Sequence, residues 1–227
     1  MEKSFGNSKF VMSNQDGPHP DLTDYLKRYH LTNYQRPVAD FSLSLWKEIK
    51  EFIGMDKVIF DLGCGIGESS YFLSKKYPEH KIIGIDKSIS RLQRKNSFKN
   101  QENRNIFLCR GELLDLIPLI YKEQDKLKLE KVYLLYPNPW PKKIHVKRRF
   151  HANPIAPFLF HLNADITYRS NWKTYLEEVE IAAKVVANKE SELKLIENPE
   201  FITPFEKKYF ESGQEIFEIT VFKGINK

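Results

Sequence analysis

Apolar residues recur along this chain in two rhythms, one helical and one strand-like. After Pro37, Val38, Phe41, Leu45, Trp46, Ile49, Phe52 and Ile53 fall three and four apart, which predicts an amphipathic helix ending at Gly54. Short continuous apolar runs then alternate with helical spacing. Strands are expected at 57–61, 81–86, 106–109 and 131–136, with helices at 69–77, 88–95 and 113–121 between them. Further on, a fifth strand at 163–168, a helix at 171–188 and strands at 192–197 and 215–223 complete the pattern. Such alternation predicts an α/β fold in which helices cover both faces of a parallel sheet. The last two strands, with no long helix between them, suit an antiparallel edge. Residues 1–36 break every periodicity with Asn14, Gln15, Asp16, Gly17, Pro18 and Pro20, and read as an extension that orders on a partner. The expected division is therefore 1–54, extension and helix, and 55–227, the globular domain.

Composition narrows the class. The 227 residues, 41% hydrophobic, suffice for one domain with a substantial core. No run has the apolar length of a membrane span, and the N-terminus lacks the apolar stretch of a secretory signal, so a cytoplasmic protein without a membrane partner is expected. Cys64 and Cys109 are too few for a disulfide framework, and the six histidines lack metal-ligand spacing. The net charge of +6 favours an acidic partner. Its distribution says more. Lys142, Lys143, Lys147, Arg148 and Arg149, with His145 among them, directly follow Pro137-Asn138-Pro139-Trp140-Pro141. Three prolines restrict the backbone around Asn138 and Trp140, while the basic run has the charge expected of a phosphate-gripping surface. A proline-rich loop before a solvated basic helix is the bland alternative.

In open parallel sheets, ligands sit at the carboxyl ends of the strands. Asp61, Asp86 and Asn138 all fall at expected strand ends. Between the first strand and its helix, Gly63, Gly65 and Gly67 occupy alternate positions, where bare backbone can approach a ligand closely. The spacing is not that of a dinucleotide fold. An acid beside the glycines suits a cofactor carrying an amine, such as the amino-acid moiety of S-adenosylmethionine, and Asp86 suits ribose hydroxyls. Glu112 could accept from an adenine amine or simply stand in the first turn of a helix. Thr203-Pro204-Phe205-Glu206 has the form of a capping box, and Ser170 or Asn171 that of a helix cap.

Taken in order, Asp-Leu-Gly-Cys-Gly-Ile-Gly, Gly-Ile-Asp86, Tyr-Pro-Asn-Pro-Trp-Pro-Lys-Lys with its Lys-Arg-Arg, Ser-Asn-Trp-Lys-Thr-Tyr, and Thr-Pro-Phe-Glu-Lys-Lys with Gly213 resemble the tRNA guanine-N7 methyltransferase family over residues 57–222. The Pro-x-Pro-Trp-Pro-Lys-Lys element is the specific marker. The resemblance implies a Rossmann-like class I methyltransferase fold, a mostly parallel seven-stranded sheet with an antiparallel edge strand. It also implies S-adenosylmethionine as cofactor and tRNA or another structured RNA as partner, and it leaves the chain a monomer or homodimer. By the match, Asp61, Gly63, Gly65, Gly67, Asp86 and Glu112 bind the cofactor. Asn138 and Trp140 stand at the reacting base. Lys142, Lys143, Arg148 and Arg149 meet tRNA, and Asn171, Thr203 and Glu206 border the target guanine.

Two positions depart from the family pattern, Asn138 and Asn171, each an amide where the family has a carboxylate. An ionised Asp accepts two bonds from guanine, whereas Asn offers one acceptor and one donor. Asn138-Pro-Trp is also similar to the Asn-Pro-Pro-aromatic element of methyltransferases acting on exocyclic amines. Methylation of a different base or other acceptor, and a non-catalytic homologue that binds cofactor and RNA, therefore stand beside the guanine reading.

Overall fold

The computed structural model describes residues 8–31, 34–94 and 104–224, except the side chains of residues 30 and 31. Seven strands form one sheet: β1 (Lys57–Leu62), β2 (His80–Asp86), β3 (Ile106–Arg110), β4 (Lys128–Leu135), β5 (Asp165–Ser170), β6 (Ser191–Leu195) and β7 (Phe217–Val221). Their order is β3-β2-β1-β4-β5-β7-β6. Strands β1 to β5 run parallel, and β7 lies antiparallel between β5 and β6. The order reverses between β1 and β4, and there the carboxyl ends of adjacent strands open a crevice. Helices cover both faces, so Val58, Ile59, Phe60 and Leu62 are buried in succession and the strand reads as a continuous apolar run.

The helices are α1 (Leu22–Leu31), α2 (Asp40–Ile53), α3 (Glu68–Lys76), α4 (Ile89–Leu92), α5 (Leu113–Glu123), α6 (Ala156–Phe160), α7 (Lys173–Ala187) and α8 (Pro204–Glu211). On α2, Ser42, Trp46, Ile49 and Ile53 make one buried stripe, and Gly54 ends the helix at φ +56°. The expected helix at 88–95 is a single turn capped by Ser88, and its last expected position, Lys95, lies outside the described residues.

The N-terminal expectation needs correcting. Residues 1–36 include α1, whose Leu22 and Leu26 lie one helical turn apart, fully buried in the same core as the sheet. Helix α1 packs on α7. Further along, the buried carboxylate of Asp115 accepts from Arg36 Nε (3.0 Å) and Ser42 Oγ (2.8 Å), tying the entry to α2 onto α5. The basic run is no long solvated helix either: Lys143–Arg148 is a 3-10 helix whose Val146 is buried.

Candidate active site

The glycine loop after β1 is shaped by its backbone. Gly63, Gly65 and Gly67 have φ of +83°, +61° and +90°, values that disfavour any side chain. The amides of Gly63 and Cys64 donate to Ile85 O, 2.7 and 3.0 Å away, fastening the loop to the end of β2. A Cβ at Gly67 would strike Leu108, whereas one at Gly63 or Gly65 would meet nothing within 4 Å. The loop thus packs below and is bare above, leaving room for a ligand against the backbone.

Both predicted acids end their strands, in different settings. Asp86 receives Gly65 N at 3.0 Å and Ser88 N at 2.8 Å, and Arg91 Nη1 lies 3.5 Å from it. Asp61 is 1% exposed and points beneath the loop, where Ser69 and Ser70 hydroxyls each donate to its Oδ2 at 2.6 Å. Burial raises its pKa to about 6, with Asp86 adding repulsion and the two serines opposing the rise. Through these two bonds Asp61 anchors the first turn of α3. Glu112 caps α5 through its own side chain, accepting from Leu114 N at 3.4 Å, and remains half-exposed. The thiol of Cys64 is pushed far up by burial, so it is a packing group rather than a nucleophile.

After β4, the chain turns through Asn138 and Trp140 with unusual backbone. Tyr136 and Trp140 adopt φ of +51° and +44°, the left-handed region. Asn138 Oδ1 accepts from Trp140 N at 3.2 Å, closing an Asx-type turn that offsets part of the cost. Asn138 is exposed and Trp140 half-buried. Arg148 lies over the Trp140 ring at 4.7 Å and His145 meets its edge at 5.6 Å. Lys142, Lys143 and Arg148 are exposed beside this turn.

Arg149 is not among them. Its side chain is wholly buried, which overturns its assignment to tRNA. Nε and Nη2 donate to Trp140 O, Nη1 to Glu178 and Nη2 to Gln15. Glu178 also receives Gln15 Nε2 (3.1 Å) and His19 N (2.9 Å), and His151 Nε2 lies 2.8 Å away. Burial alone would raise the Glu178 pKa, yet the bonds from His151 and Arg149 hold it down at about 2. A carboxylate from the middle of α7 thus organises the turn and the N-terminal segment together. A buried acid inside an amphipathic helix leaves no mark that sequence reading can use.

A second ionic group sits under the β5 end. Glu206 is fully buried, its carboxylate accepting from Arg169 Nη1 at 2.9 Å and from Tyr136 hydroxyl at 3.1 Å. Its placement against the target base is corrected accordingly. Thr203 Oγ1 accepts from Glu206 N at 3.1 Å and is nearly buried, so half of the capping box forms. The other half is lost, because Glu206 is drawn to Arg169 rather than back to its own helix start. Asn171, half-exposed just after β5, donates from Nδ2 to Gln214 Oε1 at 2.7 Å. Arg169, Glu178 and Gln214 were invisible to motif reading, since ordinary strand, helix and turn patterns contain them.

The tertiary fold therefore brings the glycine loop, Asp86, Glu112, the Asn138–Trp140 turn and Asn171 to one edge of the sheet. The chain is 29% identical to the tRNA (guanine-N(7)-)-methyltransferase of Hydrogenovibrio crunogenus over 184 residues, 74% of this chain and 72% of that one. It is 26% identical to the protein of the same name from Photorhabdus laumondii, covering 86% and 87%. For the one from Aquifex aeolicus the identity is 24%, and the alignment spans 78% of this chain but only 60% of the relative's length. Among solved structures, an antibiotic-related methyltransferase superposes with a TM-score of 0.55 at 19% identity, covering 77% of this chain and 92% of that one. The 16S rRNA methyltransferase KamB gives 0.55 at 11% identity, covering 83% and 96%, which supports the class I methyltransferase fold. Residues 55–219 match a family described as "Putative methyltransferase", and the chain belongs to that family.

Proposed function

We propose that this protein transfers a methyl group from S-adenosylmethionine to a ring nitrogen of guanine in tRNA. One observation carries the reading. The bare glycine loop after β1 and the rigid Asn138–Trp140 turn after β4 emerge from hydrogen-bonded neighbouring strands, with exposed Lys142, Lys143 and Arg148 beside the turn. In this reading the loop holds the cofactor, the Trp140 ring stacks on the base and the exposed basic residues meet phosphates.

The residues present fit the cofactor. Gly63 and Gly65 leave space over the backbone, Asp86 stands at the β2 end for ribose hydroxyls, and Glu112 at the start of α5 can accept from an adenine amine. When bound, S-adenosylmethionine supplies an electrophilic methyl on a sulfonium. The chain's own task is alignment, because displacement at a methyl carbon needs an in-line approach more than acid or base help. The guanine ring nitrogen carries no proton to remove. Trp140 offers a face for the base, fixed by the carbonyl that Arg149 holds and by the Asx-type turn. Lys142, Lys143 and Arg148 neutralise phosphates and set the RNA's register.

Methylation of an exocyclic amine finds less support. The curated relatives compared above are guanine-N(7) methyltransferases by name, whereas an exocyclic amine would have to use the one lone pair that Asn138 Oδ1 keeps beside its bond from Trp140 N. In the proposed role the protein works where tRNA is matured, in the cytosol. The test is incubation of the purified chain with labelled methyl donor and unmodified tRNA, followed by digestion to nucleosides. Labelled 7-methylguanosine is expected. Label in an adenosine derivative, or none with cofactor bound, would overturn the proposal.

A further inference from the structure

Residues 8–15 form a strap pinned at both ends. At one end, Ser8 N donates to Ser212 Oγ at 3.1 Å, and Gln214 Nε2 donates to Ser8 O at 2.9 Å. At the other, Ser13 Oγ donates to Pro141 O at 2.7 Å, Lys143 N to Asn14 Oδ1 at 3.0 Å, and Gln15 joins Arg149 and Glu178. The strap thus runs from the turn before β7, past the end of β5, to the loop after β4. Those strands are neighbours in the order β4-β5-β7, so two strand spacings, about 10 Å, must be crossed. Five extended residues reach up to about 17 Å, which suffices.

What fixes the first pin is the polarity of two amides. Asn171 Nδ2 donates to Gln214 Oε1, so Gln214 must present its Nε2 to the Ser8 carbonyl. A carboxylate at 171 could only accept. Gln214 would then turn its amine toward 171 and its oxygen toward Ser8 O, placing two acceptors face to face. Gln214 is 4% exposed, so water would not readily repair the mismatch.

We infer that Asn171 and Gln214 are positioning residues that hold the strap 8–15 as a wall of the acceptor site, Asn171 acting through the strap rather than on the base. That the enclosed space is the acceptor site rests on the function proposed above; the anchoring does not.

Two readouts on the full chain separate these parts. Lys9 is exposed on the strap, so limited trypsin cleavage at the Lys9–Phe10 bond, followed by mass spectrometry, reports strap release. N171D and Q214A are each expected to speed that cleavage about tenfold, the effect of losing one buried hydrogen bond. They are expected to raise KM for tRNA by a similar factor while kcat and cofactor affinity change less than twofold. The double variant N171D/Q214K, whose ammonium can donate to both Asn171→Asp and Ser8 O, is expected to restore slow cleavage and low KM. Circular dichroism melts establish that each variant is folded. Wild-type cleavage in N171D together with altered kcat or a different methylated base would overturn the inference in favour of direct base reading. Faster cleavage with unchanged KM would overturn the wall. If tRNA accepts no methyl group from the wild-type chain, the cleavage series still decides whether the two amides anchor the strap.

Discussion

Arg149 holds the carbonyl oxygen of Trp140 with two nitrogens, Nε at 3.3 Å and Nη2 at 2.9 Å, while its remaining nitrogen is bonded to Glu178. The last basic residue of a surface run is therefore the internal brace of the aromatic turn. Only a planar fork can serve these acceptors at once, which a lysine ammonium cannot. Removing it as R149A strands a buried carboxylate and frees the turn. The expected loss is about 3–5 kcal/mol of stability, read from the urea midpoint, with R149K intermediate.

Glu178 makes the same hub sensitive to acid. Its pKa is depressed from 4.5 to about 2, so its contribution is full above about 4.5 and disappears as pH falls toward 2. Thermal melts between pH 5 and 2 are expected to show a steeper decline for the wild type than for E178Q. Equal slopes would mean that the hub is not maintained in solution.

Asp61 works in the opposite direction. Its pKa is raised to about 6, so its contribution to stability is present below its ordinary value of 3.8 and is lost as pH rises through 6. A cationic ligand over the loop favours the ionised form. Affinity for S-adenosylmethionine is thus expected to be about tenfold weaker at pH 5 than at pH 7, and flat across that range in D61N. Titration calorimetry at the two pH values checks it.

Asn138 is expected to matter through its oxygen. N138A leaves Trp140 N without its acceptor in a residue already held at φ +44°, so the turn relaxes. Single-turnover methyl transfer should fall about 10- to 100-fold with cofactor affinity unchanged. N138D keeps an acceptor at the same place and should retain the turn.

Gly84 carries a packing constraint that reaches the site. A Cβ there would lie 2.3 Å from Ser70 Oγ and 2.5 Å from Leu108 Cδ2. G84A is expected to cost about 1–3 kcal/mol of stability, since β2 cannot move within the sheet. It should also weaken cofactor binding by displacing the serine that donates to Asp61.

Much of this was legible in one dimension. The apolar runs located the strands, because strands buried on both faces need continuous hydrophobic sequence. The alternate glycines announced a backbone conformation that only glycine takes easily, and Gly63, Gly65 and Gly67 all adopt it. Errors came where identity and location diverge. Arg149 and Arg148 are adjacent in sequence and alike in chemistry, yet the 3-10 helix ending at Arg148 sends one over the Trp140 ring and the other into the core. Thr203 and Glu206 have capping-box spacing, but Arg169, 37 residues away in the chain, captures the glutamate. In α1, Leu22 and Leu26 are too few to stand out beside prolines and polar residues, and they are buried by partners on other elements.

The chain by itself determined the order of elements, the strand-end placement of Asp61, Asp86 and Asn138, and the concentration of positive charge after the proline turn, because these depend on local periodicity and backbone restriction. Only the tertiary structure decided which charges face solvent and which are spent on ion pairs, and that residues 8–15 fasten to the turn before β7 and to the loop after β4. Those outcomes rest on contacts between residues distant in sequence, such as Gln15 with Glu178 and Ser8 with Gln214, whose energies exist only once the sheet has brought them together.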